Sequence, residues 1–275
     1  MFLRCFMWRR FYNFTNFERS HIKFCSSKRL GFRSRRNRDF GYYSLSKSRI
    51  YTDSYIHWRH TSENTISRWH YLLLESLMII MSGTFVMMHG MTGTSAKMEP
   101  LAKQLAPKGW NILCPEGKIP HPTRGGFAWW LRSEDPTEPL GSDALKEVNE
   151  SVLNVISEIP DGPIIVGGFS QGAAIASAML EYDIQSRIKG LVLLGTKTVR
   201  PDQLRDTLTF LKPRKVVWMH GSKDHLVPIE QGFEHIEIFE QADWDVTKLQ
   251  HEKGHMVNLN QLNELKSAIQ SMADS

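Results

Sequence analysis

Ser170 lies in GFSQG (168–172), Asp224 in HGSKDHLVP (220–228) and His255 in HEKGHMV (251–257). A serine, a carboxylate and an imidazole in that chain order can relay a proton. The imidazole takes the hydroxyl proton, the carboxylate fixes the imidazole tautomer, and the serine oxygen attacks an acyl carbon. The string G-x-S-x-G is weak alone and gains weight from its neighbours. Here it follows the apolar run IIVG and opens QGAAIASAMLEY (171–182), a helix rich in small residues. A strand turning sharply into a helix needs small residues at 168 and 172. It exposes Ser170 at the apex, over a helix N-terminus that favours a developing anion. The bland reading of Ser170 is a helix cap. Asp224 follows the apolar run KVVWM and a short turn. Asp202, Asp206, Asp243 and Asp245 compete for the acid role, but none directly follows an expected strand.

His255 belongs to two patterns. H-E-x-x-H is the zinc-protease signature, in which both histidines share one face of a helix and the glutamate is the base. That would place Gly254 inside the helix, at a cost of about 1 kcal/mol relative to alanine. The preceding DVTKLQ (245–250) reads as extended, and no histidine follows His255 to serve as third ligand; Glu264 is close by, on the expected final helix. The proton relay is therefore the reading adopted, with no metal, and His251 is read as an ordinary strand-end histidine. A tetrahedral intermediate also needs two backbone N–H donors. Gln171, after the serine, supplies one, and Met91, in the loop HGMTGT (89–94), supplies the other; His89 is expected to order that loop. Within the long connection 115–142, Phe127, Trp129 and Trp130 are candidates for lining an acyl pocket, with packing of the loop as the alternative. Cys114 reads as a small core residue.

The elements that must position these groups alternate. Strands are expected at 84–90, 111–114, 163–168, 191–195, 215–221 and 245–250. Helices are expected at 100–106, opened by Pro100, and at 143–158, 171–182, 229–241 and 258–272. Such alternation implies a mostly parallel sheet of about six to seven strands with helices on both faces, and chemistry at the carboxyl ends of the strands.

Charge divides the chain unevenly. Residues 1–80 hold 15 Lys/Arg against 5 Asp/Glu, whereas residues 81–275 hold 19 against 24. The second part gives no electrostatic reason to bind nucleic acid. Three cysteines form no C-x-x-C pair, which suits a reducing compartment. Residues 1–80 lack a sustained apolar period. They read as a basic leader: a targeting segment for mitochondrion or plastid, a disordered stretch, or upstream sequence joined to a later start. The hydrolytic domain is expected over 81–275. The run 71–88 is barely long enough to span a bilayer, is interrupted by Glu75 and Ser76, and ends in an expected strand, which argues against a membrane span.

Together, HG (89–90), GGFSQGAA (167–174), HGSKDHLVP and GH (254–255) resemble the phospholipase/carboxylesterase family of α/β-hydrolases, which includes the acyl-protein thioesterases. The resemblance covers about residues 84–273. AWW (128–130) is similar to the family's A-W-F segment, with Trp129 in the place of its pocket tryptophan. The chain departs from the family pattern at HGMTGT, where an HG-Leu-Gly-Asp type of loop is usual, and at Leu131, where the family has Asp. The resemblance implies an α/β-hydrolase fold and a cytosolic serine esterase acting without a cofactor on carboxylic esters or thioesters, small or with an acyl chain. A ligand-binding receptor on the same scaffold, or a lactonase or lyase using the same three residues, are the alternatives.

Overall fold

The computed structural model describes residues 83–132 and 139–275, all within the unit Leu72–Ser275. The expectations for residues 1–80, and the start of the run 71–88, lie outside the described residues. No helix among the described residues is long and apolar enough to cross a membrane.

The six expected strands form one sheet: β1 (Thr84–Met88), β2 (Asn111–Leu113), β5 (Ile164–Phe169), β6 (Ile188–Leu194), β7 (Lys215–Gly221) and β8 (Asp245–His251). Its order is β2-β1-β5-β6-β7-β8, and every pairing is parallel. Two short strands, β3 (Ile119–Pro120) and β4 (Phe127–Ala128), form a separate antiparallel pair within the long connection. The helices are α1 (Ser95–Leu105), α2 (Ser142–Glu158), α3 (Gln171–Ala178), α4 (Pro201–Leu208), α5 (Ile229–Gln241) and α6 (Leu262–Ala273).

Strand side chains alternate between two cores, as a parallel sheet buried on both faces requires. Val86, Val166, Leu191 and Trp218 face one core, which α2, α3, α4 and α5 cover. Phe85, Ile165, Val192 and Val217 face the other, under α1 and α6. From β1 the chain runs outward to β2 and then returns past β1 to β5. The loops after β1 and β5 therefore part at the carboxyl edge, the crevice where open α/β sheets bind ligands.

Two boundaries differ from the sequence reading. Pro100 does not open its helix: α1 starts at Ser95, with Pro100 inside it. The Thr94 hydroxyl accepts from the Lys97 N–H at 3.2 Å, and the Glu116 carboxylate accepts from Ser95 N at 3.0 Å. Thr94 is a local cap that the sequence reading passed over, and the second cap comes from a residue distant in sequence. The expected helix 171–182 ends its α-helical part at Ala178 and tightens into a single 3-10 turn over Met179–Glu181.

Candidate active site

Ser170 occupies the turn between β5 and α3, at φ 54° and ψ −120°. A non-glycine residue there stores about 1–3 kcal/mol of strain and persists only where its surroundings hold it. The Ser170 N–H donates to Leu194 O at 2.8 Å, and the Thr196 hydroxyl donates to Ser170 O at 2.8 Å. The motif's glycines follow from closeness to β1. A methyl on Gly168 would lie 2.5 Å from Met88 O, and one on Gly172 would collide with the Met88 and His89 carbonyls. The sharp turn is thus a packing requirement as well as a backbone conformation.

Asp224 follows β7 and is buried. Its Oδ1 accepts from the Leu226 and Val227 N–H groups, each at 2.9 Å. Its Oδ2 lies 2.6 Å from His255 Nδ1. An ionised carboxylate can only accept, so His255 Nδ1 is the protonated nitrogen and Nε2 is left as the acceptor. The imidazole packs on Phe169, the residue before Ser170, with ring centroids 4.7 Å apart. Two backbone bonds join the loops that carry acid and imidazole: Ser222 N–H to His251 O at 2.7 Å and Lys223 N–H to Lys253 O at 3.1 Å.

The competing carboxylates lie elsewhere. Asp202 pairs with Arg205 on the surface, Asp206 and Asp245 are exposed, and Asp243 occupies a positive-φ turn position after α5. HEKGH is not a helix: His251 ends β8 and the following residues bend. His251 Nδ1 accepts from the Lys253 N–H at 3.2 Å. Among the described residues no group of three His, Cys, Asp or Glu side chains is placed to hold a metal ion.

Gly90 brings the loop after β1 against Ser170; a methyl on Gly90 would lie 3.3 Å from Ser170 Cβ. Neither the Met91 nor the Gln171 N–H donates a hydrogen bond among the described residues. His89 orders this loop. Its Nε2 accepts from Gly117 N–H at 3.0 Å, so its Nδ1–H donates to Gly90 O at 2.8 Å. Burial lowers the pKa of this imidazole and favours the neutral form that both bonds require.

A cavity of about 340 Å³ opens at Ser170 and is lined by Met91, Gln171 and Trp130 among others. Trp129 and Phe127, expected as pocket residues, do not line it. Trp129 is buried beneath, and its indole N–H donates to His89 O at 2.7 Å. Phe127 bridges to Gly93, so the β3–β4 pair props the loop after β1. The Gln171 side chain clamps the tryptophan segment, accepting from Trp129 N at 3.1 Å and donating to Trp130 O at 3.0 Å. The opposite wall was missed in sequence. Thr196, Lys197, Thr198 and Val199 follow β6 and line the cavity, and the rule that sites gather at strand carboxyl ends points to that loop. Cys114 is half-buried, and burial pushes its thiol up to about 11, which suits a packing role.

A family model described as the alpha/beta hydrolase fold matches residues 83–214. Acyl-protein thioesterase 1 homolog 1 of Dictyostelium discoideum is 25% identical over 173 residues, 56% of this chain and 76% of that protein. Acyl-protein thioesterase 1 of Cryptococcus neoformans is 27% identical over 176 residues, 58% of this chain and 74% of that protein. The crystal structure of the Bacillus cereus carboxylesterase superposes with a TM-score of 0.56 at 20% identity, covering 70% of this chain and 90% of its own. Zea mays acyl-protein thioesterase 2 gives 0.56 at 20% identity, covering 70% and 94%. At that identity the solved structures speak to the fold. With the family model and the curated relatives beside them, the chain has the alpha/beta hydrolase fold and is similar to the acyl-protein thioesterases of the phospholipase/carboxylesterase family, which supports a carboxylic ester hydrolase.

Proposed function

We propose that the chain cleaves carboxylic esters and thioesters through an acyl-enzyme on Ser170, with His255 as base and Asp224 as its orienting acid. The observation that carries this reading is the 2.6 Å contact between His255 Nδ1 and the buried Asp224 carboxylate, with the imidazole packed on the residue before Ser170. His255 Nε2 removes the Ser170 hydroxyl proton as Oγ adds to the substrate carbonyl. The Met91 and Gln171 N–H groups receive the negative oxygen. The tetrahedral intermediate then collapses. The bond to the leaving alcohol or thiol breaks, and His255 returns the proton to that leaving group. Water, deprotonated by the same Nε2, adds to the acyl-Ser170 carbonyl, the bond to Oγ breaks, Nε2 returns the proton to Oγ, and the acid leaves. No cofactor enters these steps. Thioesters are included because the similar curated proteins are named acyl-protein thioesterases. The cytoplasm is the proposed compartment.

The test is turnover of p-nitrophenyl butyrate and of a butyryl thioester by the full chain and by Ser170→Ala. Loss of the nucleophile is expected to cost on the order of 10⁶ in kcat. Equal turnover by the two proteins would remove Ser170 from the mechanism.

A further inference from the structure

The loop that carries Asp224 is closed by a second histidine. His220 lies near the end of β7, four residues before Asp224, and its side chain is fully buried. Its Nε2 lies 2.9 Å from Val227 O. A carbonyl oxygen only accepts, so the proton sits on Nε2 and is donated to that carbonyl. The Val227 N–H in turn donates to Asp224 Oδ1 at 2.9 Å. The same His220 Nε2 lies 3.4 Å from Asp224 Oδ2, the oxygen that binds His255. That separation is long for a hydrogen bond, but an N–H dipole this close to a buried carboxylate acts through little screening. Trp218, two residues earlier on the same face of the strand, stacks on the ring with centroids 5.4 Å apart and planes 24° apart. Gly232 of α5 closes in on the ring as well: a methyl there would lie 2.6 Å from His220 Nδ1. Nδ1 itself finds no hydrogen-bond partner among the described residues. Burial lowers the pKa of this imidazole and favours its neutral form. A ring needed only for packing would be served better by phenylalanine, which leaves no buried nitrogen unsatisfied. The group that justifies an imidazole here is its Nε2–H.

We propose that His220 is a positioning residue for the acid: its Nε2–H ties down the 224–227 loop through Val227 O and turns a fixed dipole toward Asp224 Oδ2, keeping that oxygen aimed at His255 Nδ1. The inference rests on the reading of Asp224 and His255 as acid and base. His220 acts through Asp224 rather than on the substrate, and it is not among the described residues that line the cavity beside Ser170. Its loss should therefore slow the chemical step and leave substrate binding alone.

The experiment compares His220→Phe and His220→Gln in the full chain, each alone and combined with Asp224→Asn, by turnover of p-nitrophenyl butyrate. Phenylalanine keeps a ring on Trp218 and removes the N–H, whereas the glutamine amide can reach the same two oxygens. His220→Phe is expected to lower kcat by about 10- to 100-fold, the scale of a misplaced catalytic group, with KM unchanged within about twofold. His220→Gln should recover kcat to within about fivefold of wild type, on the footing that one N–H donor of similar reach replaces another. In the Asp224→Asn background His220→Phe should change kcat by less than about threefold, because two residues that act through one group are not additive. Equal losses in the two backgrounds, a KM effect in place of a kcat effect, or no recovery by His220→Gln overturns the proposal. Where His220→Phe fails to fold, nitrogen-15 spectra of the histidines in wild type and in Asp224→Asn decide. Wild type is expected to hold His220 as the neutral Nε2–H tautomer, and Asp224→Asn to shift that Nε2 resonance. A cationic ring, the Nδ1–H tautomer, or a resonance indifferent to Asp224→Asn overturns the proposal. If the wild type turns over no ester, the reading of Ser170 fails, and the same spectra decide whether His220 holds Asp224.

Discussion

Each of the three proposed catalytic residues is held in place by named bonds, and Ser170 Oγ and His255 Nε2 are the atoms left for chemistry. Ser170 is held through its backbone by Leu194 and Thr196, and its side chain stands at the apex of the turn. Asp224 spends Oδ1 on two backbone amides and Oδ2 on His255. His220 adds a further contact, its Nε2 lying 3.4 Å from the same Oδ2. Asp224→Asn keeps the shape but replaces an acceptor with a group that also donates, so His255 can settle in the wrong tautomer. We expect a loss of about 10⁴ in kcat with little change in melting temperature. Asp243→Asn should leave turnover unchanged, because asparagine tolerates the positive φ of 60° at that turn. The reverse order of effects in a steady-state assay would assign the acid to the wrong loop. The strand-end positions of these residues were readable in the sequence because each has its own short context. The pocket was not. Trp129 looked like a wall because aromatic residues in a loop suggest one, yet the sequence cannot show that its N–H is committed to His89 O.

The strands were legible because each is an apolar run ending in small residues, and β7 falls at 215–221 as expected. β6 begins at Ile188, earlier than expected, because Lys189 and Gly190 mask its start. α4 was missed: it has eight residues, and only Leu204 and Leu208 are buried, too little to show a period. Helix α1 makes a testable case. Pro100 lies in its interior and is exposed, so it removes one backbone bond without a packing contribution. Pro100→Ala should stabilise the chain by about 1–2 kcal/mol, the helix gain less the entropy that alanine restores to the unfolded chain. A chemical-denaturation midpoint that falls in this variant would show that Pro100 has a role in shaping the helix.

Buried histidines give the whole molecule a pH dependence of definite sign. Burial lowers His235 to about 3, and it also lowers His89 and His220. In the unfolded chain these groups titrate near about 6.5, so between that pH and the folded value the unfolded state binds protons that the folded state refuses. Stability is therefore complete above about pH 6.5 and falls as the solution is acidified. His235 alone should cost about 1 kcal/mol between pH 7.5 and 5.5. Glu181 works the other way, since burial raises its carboxyl pKa, but it is one group against four, because burial lowers His251 as well. Urea midpoints at the two pH values check this, and a midpoint equal or higher at pH 5.5 would contradict it. The central claim concerns one atom of the intact chain, Ser170 Oγ, and fluorophosphonate labelling followed by peptide mass mapping tests it most directly. The account predicts a single adduct on the peptide carrying Ser170, absent from Ser170→Ala and much slower to form in Asp224→Asn. An adduct on another residue, or labelling that survives Ser170→Ala, would contradict it.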